Sequence, residues 1–189
     1  QRQMCIRDRT PTLTEEEKKK IKKMVIERVN GRIPILLGVG GNNTRAIVET
    51  LKNDDFTGVD AILSVVPYYN KPSQEGIYQH YKAISEATDL PIVLYNVPGR
   101  TGVNMKAETT LRIARDFKNV IAVKEASGDI TQMDDIIKNK PANFDVISGD
   151  DGITFPLITL GAVGIISVIG NAFPREFSRM AVSYTHLTL

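Results

Sequence analysis

Val120-Ile121-Ala122-Val123-Lys124-Glu125-Ala126-Ser127-Gly128 is the stretch that decides how this chain folds. A short apolar run leads into a lysine and closes on a glycine, which is the pattern of a buried strand and its turn. Lysine is almost never fully buried without a partner or a task. One task is covalent: a neutral amine that captures a keto acid as a Schiff base. The plainer alternative is a strand-terminal lysine that lays its stem on the core and holds its ammonium in water. If Lys124 points inward, strand alternation puts Ala122 and Val120 on its face as a dry wall. The nucleophile must be deprotonated against a reference pKa of about 10.4, and desolvation lowers that value.

Working outward, the same unit recurs. Thr14-Glu15-Glu16-Glu17 is a capping box opening a helix with Ile21, Met24, Val25 and Ile26 on its apolar face, stopped at Asn30-Gly31. Strands are expected at 33–37, 61–66, 91–97, 120–126, 144–148 and 163–168. Helices are expected at 44–52, from a Ser73 cap to 86, and at 106–117, 131–139 and 153–160, with a further one starting near Pro174. The strands are apolar throughout, as strands covered on both faces should be. Such alternation means a parallel β/α fold. No GxGxxG or Walker pattern follows a strand, which disfavours a nucleotide-binding sheet. The loops of unusual chemistry all follow strands: GVGGN (38–42), PYYNKP (67–72), NVPGRTG (96–102), KEASG (124–128) and SGDDG (148–152). A site built at strand C-terminal ends is the arrangement of a TIM (β/α)8 barrel. Six of the eight strands are visible, so a partial barrel is the expected α/β architecture.

Composition narrows the function classes. The chain has 189 residues, 42% hydrophobic and 24% charged, with a net charge of +2. Opposite charges are interspersed, so neither a nucleic-acid groove nor a membrane surface is indicated. No apolar run approaches the roughly 20 residues of a membrane helix. Residues 1–9 and 182–189 continue no periodic pattern and are expected to be non-native ends, leaving a catalytic domain at 10–181. That sets aside Cys5 and His186 and leaves His80 as the single remaining histidine. Disulfides, Cys/His metal sites and Cys- or Ser-His nucleophiles are therefore poorly supported. The Asp150-Asp151 pair reads as helix N-capping rather than a metal site.

Five motifs in order, VVPYYNKPSQEG (65–76), LYNVPGRTG (94–102), AVKEASGD (122–129), SGDDG (148–152) and GIISV (164–168), resemble the 4-hydroxy-tetrahydrodipicolinate (dihydrodipicolinate) synthase family. The resemblance covers roughly residues 12–180. It implies a class I aldolase-type lyase of lysine (diaminopimelate) biosynthesis that condenses pyruvate with L-aspartate 4-semialdehyde. Lys124 then matches the Schiff-base lysine, Tyr95 the proton donor and acceptor over the imine, and Tyr69 a second relay tyrosine that reaches a neighbouring subunit. Arg100 matches the arginine that receives the aldehyde's carboxylate, where a permanently charged planar fork suits the task. Gly149 and Ile166 match positions lining the pyruvate site. The resemblance also implies no cofactor beyond the covalent lysine imine, no metal, a cytoplasmic homotetramer built as a dimer of dimers, and no nucleic-acid or membrane partner.

The sequence departs from the family pattern in three places. The relay's threonine, in a Gly-Thr-Thr-Gly-Glu loop, is absent. Ala46 stands where lysine-regulated members carry an acid, although Asn42 and Tyr68 match effector-site positions. Two N-terminal strands and a C-terminal helical region are not present, and a whole barrel takes about 250 residues. The 189-residue chain alone is therefore expected to be inactive or aggregated. The competing readings are a sister pyruvate-dependent aldolase, such as N-acetylneuraminate lyase or a keto-deoxy-sugar aldolase, and a non-catalytic fragment. Arg100 in PGRTG favours the synthase.

Overall fold

The computed structural model describes residues 12–186. The proposed N-terminal foreign segment, residues 1–9, lies outside the described residues. The chain runs α1 (Glu15–Val29), β1 (Leu36–Gly38), α2 (Thr44–Asn53), β2 (Ala61–Val65), α3 (Gln74–Ser85), β3 (Ile92–Asn96), α4 (Pro98–Thr101) and α5 (Ala107–Asp116). It continues with β4 (Val120–Glu125), α6 (Ile130–Asn139), β5 (Asp145–Ser148), α7 (Thr154–Leu160), β6 (Gly164–Ile165) and α8 (Pro174–His186). The six strands pair in sequence order, all parallel, as a curled arc of a barrel. α8 crosses the boundary expected at 181/182.

Local chemistry explains the element ends. Thr14 accepts from the Glu17 backbone N–H at 3.2 Å, and the Glu17 carboxylate accepts from the Thr14 N–H at 2.8 Å, which is the capping box. Ser73 caps α3 by accepting from the Gly76 N–H at 3.1 Å. The short α4 was not expected from the sequence. Pro98 starts it, with its φ already set for a helix, and Gly102 ends it in the left-handed region at φ 73°.

Helices pack on the outer face of the sheet. Ile62, Leu94, Val123 and Val146 project from successive strands into this layer and meet Ile77 of α3 and Ile136 of α6, all fully buried. Each such side chain contributes about 1.5–3 kcal/mol of burial. The flanks are looser. α1 buries no residue completely, and Met24, expected on its apolar face, is 55% exposed. β6 is shorter than expected, although Val163 and Ile166 still donate backbone hydrogen bonds to Val146 and Ser148 at 3.0 and 2.9 Å.

The register between β3 and β4 sets the site. Tyr95 pairs with Lys124 and Asn96 with Glu125, while Ile92 pairs with Val120 and Val93 with Ala122. The shift between Ile92 and Val93 leaves Ile121 as an extra residue in β4. That bulge corrects the expectation that Val120 shares the face of Lys124. Val120 belongs to the helix-facing core, and Ala122 alone continues the lysine's face.

Candidate active site

Lys124 sits near the C-terminal end of β4 and is 1% exposed. Strand alternation turns it to the inner face, away from the helices, together with Ala122. Tyr95 on β3 is its register partner and is 4% exposed. The lysine Nζ lies 4.1 Å from the centroid of the Tyr95 ring. Tyr95 is braced from behind, because the buried Tyr81 hydroxyl of α3 donates to the Ser64 carbonyl of β2 at 2.9 Å, and the Val66 N–H just beyond β2 donates to the Tyr95 carbonyl at 3.0 Å. Burial pushes the Tyr81 phenol far above its ordinary range, so this brace stays protonated.

Gly149 follows β5 and lies against the lysine stem. A Cβ placed there would stand 2.8 Å from the Ala126 Cβ, 3.0 Å from the Lys124 Cε and 3.1 Å from the Glu125 carbonyl oxygen. Only glycine lets the β5 loop approach the lysine this closely. The Gly149 N–H donates to the Glu125 carbonyl at 2.7 Å, which continues the β4–β5 ladder into the loop. Arg100 lies in α4, directly above β3. Arg100 and Gly149 share a cleft of about 260 Å³ with Val97, Ala126, Asp150, Asp151 and Val168. The structure thus brings Lys124, Tyr95, Gly149 and Arg100 to neighbouring strand ends.

Two candidates stand apart. Ile166 is buried just past β6 and held to Ser148 by its backbone N–H. Tyr69, in the loop after β2, is 88% exposed and holds the left-handed φ of 73°. Neither lines the cleft that holds Arg100 and Gly149, and the buried Lys124 and Tyr95 do not line it either.

Asp150 and Asp151 divide their work. Asp150 caps the turn at Asp151–Ile153 by accepting from the Gly152 N–H at 2.8 Å, in keeping with the capping expectation. Asp151 instead reaches across to the loop after β6, where one carboxylate oxygen accepts from the Val168 and Ile169 N–H groups at 3.1 and 3.0 Å. It closes one wall of the cleft, a role that nothing short of the acidic pair itself signals in the amino-acid sequence. Glu125 is the other residue missed. Its fully buried carboxylate accepts from Asn96, Ser127 and Gln132 on the outer face. The available signal was a second charged residue inside an apolar strand.

The comparisons identify the family. The family model described as the dihydrodipicolinate synthetase family matches residues 9–186. The chain is 88% identical over 171 residues to the 4-hydroxy-tetrahydrodipicolinate synthase of Phocaeicola vulgatus and 84% identical over 171 residues to that of Parabacteroides distasonis. Each alignment covers 90% of this chain and 58% of the relative, so the chain spans little more than half the length of the curated proteins it matches. The crystal structure of the Thermotoga maritima dihydrodipicolinate synthase superimposes with a TM-score of 0.91 at 45% identity, over 94% of this chain and 61% of that one. By motif, by strand order and by these matches, the chain belongs to the dihydrodipicolinate synthetase family.

Proposed function

We propose that this chain supplies the pyruvate-activating part of a 4-hydroxy-tetrahydrodipicolinate synthase, the lyase that condenses pyruvate with L-aspartate 4-semialdehyde. The observation that carries the reading is Lys124 itself, a fully buried lysine with its Nζ 4.1 Å over the Tyr95 ring. Dry surroundings favour the neutral amine needed for attack. The amine adds to the keto carbon of pyruvate, water leaves, and an imine forms. The protonated imine is cationic, and the face of Tyr95 is placed to attract a cation. A methyl proton then departs, giving an enamine whose carbon attacks the aldehyde. Cyclisation releases the product and frees the lysine.

The remaining residues take roles around that sequence. Tyr95 and Tyr69 carry protons, with Tyr69 serving a neighbouring subunit. Its 88% exposure in a left-handed turn suits a side chain that completes its surroundings from another copy. Arg100 receives the aldehyde's carboxylate across the cleft from Gly149, while Gly149 and Ile166 shape the pyruvate side. No cofactor is required beyond the lysine imine. The complete enzyme is a cytoplasmic homotetramer, a dimer of dimers. No helix among the described residues is long and apolar enough to cross a membrane.

A sister aldolase acting on sugar aldehydes is the second reading. An arginine in the cleft favours a substrate with a carboxylate near its aldehyde. The test is aldehyde preference in a full-length protein made by placing residues of this chain into the aligned 171-residue region of the Phocaeicola vulgatus relative. Aspartate semialdehyde is expected to be consumed with pyruvate, and N-acetylmannosamine is not. The reverse preference would overturn the synthase reading.

A further inference from the structure

One residue beyond the Tyr95–Lys124 pair, the Asn96–Glu125 pair points to the opposite face of the same two strands. Glu125 is completely buried there. Its carboxylate accepts from the Ser127 N–H at 2.7 Å, from Asn96 Nδ2 at 3.0 and 3.1 Å, and from Gln132 Nε2 at 3.2 Å. The direction of these bonds is fixed by the backbone. The Met105 N–H can only donate, and it donates to Asn96 Oδ1 at 3.0 Å. That turns the Asn96 nitrogen toward Glu125. The Ser127 N–H is likewise only a donor. Glu125 is therefore held as an acceptor by groups from β3, from its own loop and from α6.

The same network grips the chain just past Arg100. α4 ends at Gly102, and Asn104 follows in the link to α5. Asn104 Nδ2 donates to Gln132 Oε1 at 2.8 Å, and its Oδ1 accepts from Asn96 Nδ2 at 2.8 Å. The Met105 backbone is held by Asn96, as above. The link leaving the arginine turn is thus tied to the strand that carries Lys124 through a cluster centred on one buried carboxylate.

We propose that Glu125 is a positioning residue for the second substrate, fixing the Arg100 turn against Lys124 so that the aldehyde's carboxylate is received at the right distance from the enamine. The proposal rests on the function assigned above. It separates two things that a merely structural glutamate would affect together. Lys124 points inward and is carried by the strand itself, so pyruvate capture does not depend on this network. Arg100 is carried by a short turn whose exit the network holds.

The experiment uses the full-length chimera with the Phocaeicola vulgatus relative. Glu125→Gln keeps the shape but places an amide NH₂ among groups that are themselves donors. It is expected to raise KM for aspartate semialdehyde about tenfold or more, because misplacement of a binding group by about 1 Å has effects of this order. The rate of pyruvate adduct formation, read by borohydride trapping and mass spectrometry, should stay within about twofold. Asn104→Ala is the second variant. It loosens the link at a half-buried position without removing any group that bonds the carboxylate directly, and a rise of about threefold in the same KM is expected. If Glu125→Gln does not fold, Asn104→Ala decides alone. An unchanged aldehyde KM, or adduct formation that falls in step with it, overturns the proposal. Absence of a pyruvate adduct in the unsubstituted chimera is a different result, and it removes the functional reading on which the proposal stands.

Discussion

β3 and β4 at the centre of the sheet differ from β1 and β6 at its flanks in almost every physical respect. Every residue of β3 is buried, and β4 exposes only its bulged Ile121. β1 buries none of its residues, and β6 is two residues long. Among the described residues β1 and β6 each pair on one side only. The chemistry follows this division. A buried lysine needs a strand with neighbours on both edges and helices behind it, and β1 and β6 do not provide that. Away from the two central strands the loops turn outward, and Tyr69 after β2 is the extreme case at 88% exposed.

The sharpest way to break the comparison is a substitution that presses a single methyl group against the centre from the loop after β5. Gly149→Ala would drive a Cβ into the Lys124 stem and the Ala126 methyl. We expect kcat/KM in the full-length chimera to fall more than about a hundredfold, from displacement of the reacting nitrogen by a fraction of an ångström to 1 Å. A loss below about threefold would mean that the lysine has room this geometry denies it.

Stability should show the same division. Ile136→Ala removes a fully buried side chain from the layer behind β4 and is expected to cost about 2–5 kcal/mol in urea denaturation. A cost under about 1 kcal/mol would show that this layer is less tightly packed than it looks.

His80 gives the centre a signature in acid. It is buried in α3, with Nδ1 2.8 Å from the Thr44 hydroxyl, and burial lowers its pKa from 6.5 to about 4. The folded protein therefore resists protonation at a site that the unfolded chain protonates near pH 6.5. Stability from this residue is complete above pH 6.5 and is lost as the pH falls toward 4, by up to about 3 kcal/mol. Urea midpoints measured from pH 7 to 4 should show this limb, and it should flatten in His80→Gln. An equal slope in both proteins would assign the acid sensitivity to other groups.

The smallest effect belongs to the flank. Met24→Ala on α1 is expected to change stability by less than about 0.5 kcal/mol. A cost above about 1 kcal/mol in the full-length chimera would reveal that α1 is covered there by chain outside residues 12–186.

Much of this was legible in the amino-acid sequence because it rests on short-range rules. The apolar runs marked all six strands, although β1 begins three residues later than expected and β6 is shorter, and Thr14 and Ser73 announced the starts of α1 and α3 through side chains that reach only three residues ahead. What was not legible depends on pairing between strands. The bulge at Ile121 exists only in relation to β3, and it moved Val120 to the other face. Glu125 looked like an incidental neighbour of the lysine until its donors arrived from β3 and α6. Asp151 acts on a loop that comes from the far side of β6. The family resemblance named Lys124, Tyr95 and Arg100 as candidates, but their mutual distances depend on the β3–β4 register.

The central claim is that Lys124 is the amine that captures pyruvate. It is tested most directly by incubating the full-length chimera with pyruvate and borohydride, then locating the adduct by peptide mass spectrometry. The account predicts a single pyruvate-derived adduct on Lys124, lost in Lys124→Ala. An adduct that persists in Lys124→Ala, or that maps to another lysine in the unsubstituted protein, would contradict it.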